Sequence, residues 1–376
     1  MTSRHQNIAV ALTVAVVTGG CASGTAAGED DDDGGSGSGS GSGDFSFVAP
    51  IEVDSDAPPG FAMALSFDHS GLVADDKALA SGDDVRVEFD DGTGPVEIDR
   101  VLEDESSWAQ NPTTIRFRVQ DEEGTYRLKY GDPMAESPPA DPSGVYAFYE
   151  NYEDGGSADE GWETTAMGSA IASDSAIAVC PPACAVNQQT GTLRFTANTG
   201  VGDFGDQSAT GVDDVTFLHR SATGDFIFEV KLTGISTGLS GASRVGGAMV
   251  RETVDADAAF GAVTRRALMG TRQVLTRPTT GAAVMAMPGP DATGFPTFFR
   301  ARRVAGAISF SFSDNARIWT ELGGGAVVPA VTVPVGIPFA NPGSGSAQSV
   351  DIDWARIRVA APTGDPVGIL GAEADL

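Results

Sequence analysis

The string Val96-Glu97-Ile98-Asp99-Arg100-Val101-Leu102-Glu103 gathers three carboxylates. Residues two apart on a strand share a face, so Glu97 and Asp99 would project together. Two carboxylates flanking one bond are the working pair of glycoside hydrolysis. The surrounding segment is acidic throughout, however, and acids recur in it without that pattern, so no catalytic residue is assigned. Other chemistries have less footing. The histidines are His5, His69 and His219, and there is no Gly-x-Ser-x-Gly turn to present a nucleophile. His69 reads as a turn or edge residue and His219 as a structural strand residue. No Gly-rich phosphate loop precedes a helix, which leaves nucleotides out. Asp203, Asp206, Asp213 and Asp214 surround Gly-rich loops, and hard oxygen ligands of that kind suit calcium, the one cofactor to be considered. Trp319, with Asp314, Asn315 and Arg317 close by, is the best candidate for a ligand platform: a sugar ring offers an apolar face to an indole and hydroxyl edges to polar groups. Trp354 shares a strand face with Val350 and Ile352 and is expected to point into a core, with a bulge near Ala355 bringing Ile357 and Val359 back into phase.

The elements that would position these residues are strands. Gly 48 and Pro 21 are high counts, and both residues punctuate turns and weaken helices. Val85, Val87 and Phe89 alternate with Arg86, Glu88 and Asp90. Ile115, Phe117 and Val119 oppose Arg116, Arg118 and Gln120. Tyr126, Leu128 and Tyr130 oppose Arg127 and Lys129, and these last two runs read as an antiparallel hairpin. Further on, Phe226, Phe228, Val230 and Leu232 form one face, as do Ile308, Phe310 and Phe312.

Charge divides the chain. The formal net charge is −29, which argues against nucleic acid, whose phosphates draw on basic surfaces. From Val48 to Gly144 there are 22 acids and 7 bases, but from Ile171 to Ala360 the numbers are 15 and 15. A contrast of that size fits two domains.

The amino terminus has the layout of an export signal: Arg4, an apolar run from Ile8 to Val17, then small residues. A run of ten residues is too short to cross a bilayer, which takes about 20. Val17-Thr18-Gly19-Gly20-Cys21 resembles bacterial lipoprotein signals. That resemblance implies that Cys21 receives a diacylglycerol and becomes the new amino terminus, while Ala22 after it points to the outer membrane. The implied partner is thus a membrane, reached through a lipid anchor. With Cys21 acylated, Cys180 and Cys184 remain as a local pair in an oxidising compartment, where a disulfide between them is plausible. Residues 22–47 carry an acid run and a Gly-Ser alternation, cannot bury apolar area, and read as a linker.

Residues 48–144 resemble a bacterial family catalogued as a domain of unknown function (family 2341), through "DHSGLVADDKALASGDDVRVEFDDG", "TTIRFRV" and "YRLKYGDPMAESP". The resemblance implies an extracytoplasmic β-sandwich, often beside lectin-like domains. Residues 145–361 resemble the concanavalin-A-like lectin and glucanase jelly rolls through "DDVTFLHRSATGDFIFEVKL", "RVGGAMVRE", "ISFSFSDNARIWTEL" and "SVDIDWARIRV". This implies two stacked antiparallel sheets, with the opening strand paired beside the last. The glucanases of that superfamily space their acids more closely than Glu97 and Glu103, and these two lie in the other domain. Residues 362–376 read as a tail. The expectation is an all-β chain of two antiparallel sandwiches, carried at the cell envelope as a binding or adhesion lipoprotein that contacts a glycan or an envelope protein and is not an enzyme. The alternatives are a polysaccharide-processing glycoside hydrolase of the glucanase class and a structural envelope scaffold.

Overall fold

The computed structural model describes residues 45–121, 123–152, 161–168, 175–180, 191–197, 203–205, 212–235, 244–266, 270–291, 294–340 and 348–376. Cys21, the linker as far as residue 44, Cys184 and Asp206 lie outside them, and Cys180 is described only as a strand residue. The described chain is nearly all β, as the alternation and turn residues require.

The first sandwich opens with β1 (Phe47–Glu52), β2 (Ala62–Phe67) and the short α1 (His69–Ala74). It continues through β3 (Arg86–Asp90), β4 (Pro95–Ile98), β5 (Arg100–Leu102), β6 (Thr113–Arg118) and β7 (Thr125–Tyr130), and ends in one turn of helix, α2 (Pro142–Val145). The alternating faces point where expected: Val85, Val87, Ile115, Phe117, Val119, Tyr126, Leu128 and Tyr130 share one buried core. Between β3 and β4 the Asp90 carboxylate accepts from the Gly92 and Gly94 amides at 2.9 and 3.2 Å, and Gly92 takes a φ of +94°, which favours glycine.

The expected hairpin of β6 and β7 is not formed. β6 pairs with β2 and β5, whereas β7 pairs with β1 and β3. The connection crosses from one layer to the other, held by Tyr126, whose hydroxyl accepts from the Gln120 amide at 2.7 Å and donates to the Asp121 carbonyl at 3.0 Å. Both strands then bring their apolar faces together across the core, with the Phe117 and Tyr126 rings 5.6 Å apart. Alternation is satisfied equally by pairing side by side and by facing across a sandwich.

The second sandwich runs from β8 (Phe148–Glu150) and β9 (Glu163–Ala166) through β10 (Ser175–Cys180), β11 (Thr192–Ala197), β12 (Thr216–Thr223), β13 (Phe226–Ile235), β14 (Arg244–Arg251) and β15 (Phe260–Arg266). It goes on with β16 (Thr271–Arg277), β17 (Met285–Asp291), β18 (Thr297–Val304), β19 (Ala307–Ser313), β20 (Thr320–Val327), β21 (Thr332–Ala340) and β22 (Gln348–Val359). One sheet has the order β10-β11-β22-β13-β18-β19-β20, with β8 also on β22; the other has β17-β16-β15-β14-β21-β12-β9. Between them lie Phe195, Phe228, Val230, Phe299, Phe310 and Ile352 from one layer and Leu218, Val250, Val263, Val335 and Phe339 from the other. Burying each such side chain contributes about 1.5–3 kcal/mol.

Residues read as a tail are strands as well. β23 (Val367–Leu370) inserts between β1, antiparallel, and β2, parallel, and β24 (Ala374–Asp375) lies on β1. The first sheet therefore has the order β4-β3-β7-β1-β23-β2-β6-β5. Its two ends, β4 and β5, are separated in sequence by Asp99 alone, so the sheet curls until it meets itself. Both sandwiches belong to one compact unit, Gly43–Leu376.

Candidate cleft between the sandwiches

On β22 the alternation shifts at Asp353. Trp354 stands opposite Lys231 and Ile352 opposite Leu232, which leaves Asp353 bulged out and held by Lys231 at 2.9 Å. The bulge falls two residues before the expected place and reverses the reading of Trp354. Val350, Ile352, Ala355 and Ile357 face the core, while Trp354, Arg356 and Arg358 face outward; Trp354 packs on Phe298 and Ala316. Trp354 is buried, but on the outer side of its sheet.

Sheet register then builds a charge network on that outer side. Glu229 on β13 stands opposite Arg356 on one neighbour and Arg300 on the other. Its carboxylate, fully buried, accepts from Arg300 Nε at 2.7 Å, Arg356 Nε at 2.6 Å and Arg358 Nη2 at 3.3 Å. Arg358 also grips Asp365 with two bonds of 2.6 and 2.7 Å. Glu103, just past β5, joins the first sandwich to this group: Arg356 Nη2 reaches it at 2.7 Å and Arg116 Nε from the other side. Asp104 takes Arg356 Nη1 at 3.1 Å and the Tyr149 hydroxyl at 3.0 Å.

Burial alone would raise the Glu103 carboxyl, but Arg116 and Arg356 more than reverse it and bring it down to about 2. Glu229 is likewise held well below its ordinary value, burial being overcome by Arg356, Arg300 and Arg358. Asp365 follows the same rule through Arg358. Asp104 differs: burial outweighs Arg356 and raises it.

A cleft of about 500 Å³ opens onto this network, lined by Trp319, Arg317, Arg300, Glu103, Asp365 and Thr114 among others. Trp319 is half-buried. Its Nε1 donates to the Ala316 carbonyl at 2.9 Å, and the Arg300 guanidinium lies 3.8 Å from its ring centroid. Of the residues grouped with it in sequence, Arg317 also lines the cleft and donates to the Glu105 carbonyl. Asp314 turns away to Arg272. Asn315 builds the turn, its Oδ1 accepting from the amides of Arg317 and Ile318 at 3.0 and 2.9 Å.

The carboxylate string is dispersed. Glu103 is in the network, Asp99 caps the Asp141 amide at 2.9 Å, and Glu97 pairs with Arg86 at 3.0 Å. Glu97 instead stands directly opposite Glu88 across β3 and β4. Burial is the main cause that raises the Glu97 carboxyl, with Glu88 adding to it against Arg86. Glu88 is held by Lys129 at 2.9 Å and Arg127 at 3.1 Å.

Among the acids considered for calcium, Asp213 is enclosed by two guanidiniums, Arg251 at 2.7 Å and Arg277 at 2.9 and 3.0 Å. Two positive groups stand where a cation would have to approach it. The Asp203 carboxylate accepts from the Phe204 amide at 2.8 Å, and Asp214 is buried nearby. No group of three metal-ligating side chains occurs among the described residues. His69 is not at an edge: it is fully buried at the start of α1, its Nδ1 accepting from the Ala109 amide at 2.8 Å between Phe67 and Trp108. His219 Nε2 and the Thr165 hydroxyl are 2.9 Å apart.

No family model and no curated protein matches the chain. Solved structures do. A GH43 protein, BlXynB from Bacillus licheniformis, is 15% identical over 71% of this chain and 47% of its own, with a TM-score of 0.42. A xylan β-1,4-xylosidase from Bacillus halodurans is 16% identical over 66% and 47%, with a TM-score of 0.39. A β-1,3-glucanase from Mycobacterium marinum is 11% identical over 57% and 99%, with a TM-score of 0.35. The chain thus spans about half the length of the first two. The expectation of a chain that is not an enzyme is corrected by this comparison, because glycoside hydrolases are prominent among the similar structures.

Proposed function

We propose that the protein is carbohydrate-directed and takes a segment of a glycan into the cleft between its sandwiches. The supporting observation is Trp319, half-buried beneath Arg300 in a 500 Å³ cleft that also presents Glu103 and Asp365. The indole suits the apolar face of a sugar ring, and carboxylates kept ionised by their guanidiniums suit its hydroxyls. The test is retention of the soluble chain from Ala22 onward on insoluble β-glucan and xylan. Trp319→Ala should lose at least tenfold in retention; a wild-type chain retained on no glycan would overturn the reading. Display at the envelope by lipid on Cys21 belongs to the same proposal. Incorporation of a palmitate analogue should be seen in wild type and vanish in Cys21→Ala.

Hydrolysis of the glycan is the second reading, favoured by the facing pair on β3 and β4. Glu97, paired with Arg86, and Glu88, held by Lys129 and Arg127, place two carboxyl groups opposite one another, the kind of pair that glycoside hydrolysis uses. Reducing ends should be released from β-glucan or xylan by wild type and not by Glu97→Gln. Release by neither, or by both alike, ends this second reading.

A further inference from the structure

Arg220 on β12 differs from those guanidiniums of the second sandwich that an acid neutralises. Arg251 and Arg277 share Asp213, Arg300, Arg356 and Arg358 share Glu229, Arg272 has Asp314 and Arg194 has Asp351. Among the described residues, none gives Arg220 an ion pair or takes a hydrogen bond from it. Its guanidinium carbon lies 3.6 Å from the centroid of the Phe148 ring. Stacking of this kind fixes a guanidinium by its face and leaves its N–H donors, all in the plane, directed sideways. The guanidinium also lies against Gly161, where a Cβ would stand 3.1 Å from Arg220 Nη1.

The side chain lines a pocket of about 240 Å³ together with Ser221, Thr223, Asp225 and Phe226. This pocket shares no lining residue with the Trp319 cleft. Arg358, also on its wall, is already neutralised by Asp365 and Glu229. A planar fork of N–H donors matches a carboxylate in a way that a point charge does not. Asp225 on the same wall disfavours a dianion such as phosphate, yet would accept hydroxyls from a ligand that carries them. A volume below the ~300–1,000 Å³ of ordinary ligand sites has room for one sugar ring rather than a chain.

We infer that this pocket is a second binding site, which takes the carboxylate of a uronate residue on Arg220. The sugar part rests on the carbohydrate reading above; the carboxylate part does not. Calorimetric titration of the chain from Ala22 onward with trigalacturonate, and with its fully methyl-esterified counterpart, tests it. The acid should bind, and the ester at least tenfold more weakly. Arg220→Met should reduce the acid to the affinity of the ester, while Arg220→Lys, which retains the charge over Phe148 without the fork, should fall between. Trp319→Ala should leave the titration unchanged. Equal binding of trigalacturonate by wild type and Arg220→Met, or no binding by a wild type that is still retained on xylan, overturns the site and leaves the cleft standing. Loss of neutral-glycan retention with trigalacturonate binding intact would do the reverse.

Discussion

Replacing Glu229 by Gln should be among the most damaging near-isosteric changes available to this chain. The carboxylate has no exposure and three arginines converge on it. After the change Arg356 would keep Glu103 at 2.7 Å and Asp104 at 3.1 Å, and Arg358 would keep both bonds to Asp365. Arg300 would keep only Asp365, at 3.3 Å, and would face an amide. Removing one partner of a buried ion pair costs about 3–5 kcal/mol, and the surviving partners place this case near ~3 kcal/mol. Urea unfolding at pH 7, followed by the fluorescence of the four tryptophans, would show it as a lower midpoint at unchanged slope. The effect has a defined pH dependence. Glu229 is held well below its ordinary value in the folded state, so its contribution is complete above the unfolded carboxyl value of about 4.3 and is lost as pH falls through the lower folded value. The gap between wild type and variant should therefore narrow steadily as pH falls below about 5. A loss under ~1 kcal/mol at pH 7, or a gap that persists undiminished at the acid end, would refute the reasoning.

Three further outcomes are expected. Ending the chain after Pro366 should leave β1 and β2 with unpaired edges, seen as rapid proteolysis within residues 47–130 and as aggregates in size-exclusion chromatography. Gly247→Ala should cost at least ~2 kcal/mol in thermal or urea unfolding, since Gly247 has a φ of +110° and a Cβ would fall 1.9 Å from the Val263 carbonyl oxygen. Asp213→Asn should destabilise by about 3 kcal/mol in the same assay, because Arg251 and Arg277 lose their shared carboxylate in a fully buried place.

The strands themselves were legible because each has one dry face: Val85, Val87, Phe226, Phe228 and Phe310 could be placed inward from alternation alone. Pairing was less so. Nothing in the pattern of Ile115–Val119 and Tyr126–Tyr130 distinguishes neighbours within a sheet from partners across one. Val367–Leu370 is too short to read as a strand until β1 and β2 flank it. Trp319 was found because an indole with polar neighbours is conspicuous, yet Asp314 and Asn315 serve Arg272 and a turn. Glu103, Glu229, Arg356 and Asp365 meet only after folding, with Arg356 and Glu103 lying 253 positions apart, so no local spacing announces them. Arg220 and Phe148 are brought together in the same way.

The second sandwich is an excursion out of the first. The chain leaves through α2 and β8 and returns past β22, and these two passages are zipped side by side, Phe148 opposite Ile357; the outer ends of the described chain also meet, Phe47 opposite Asp375. A pull that enters at the amino end and is resisted by something gripped in the second sandwich is therefore carried by two parallel lengths of backbone, not one.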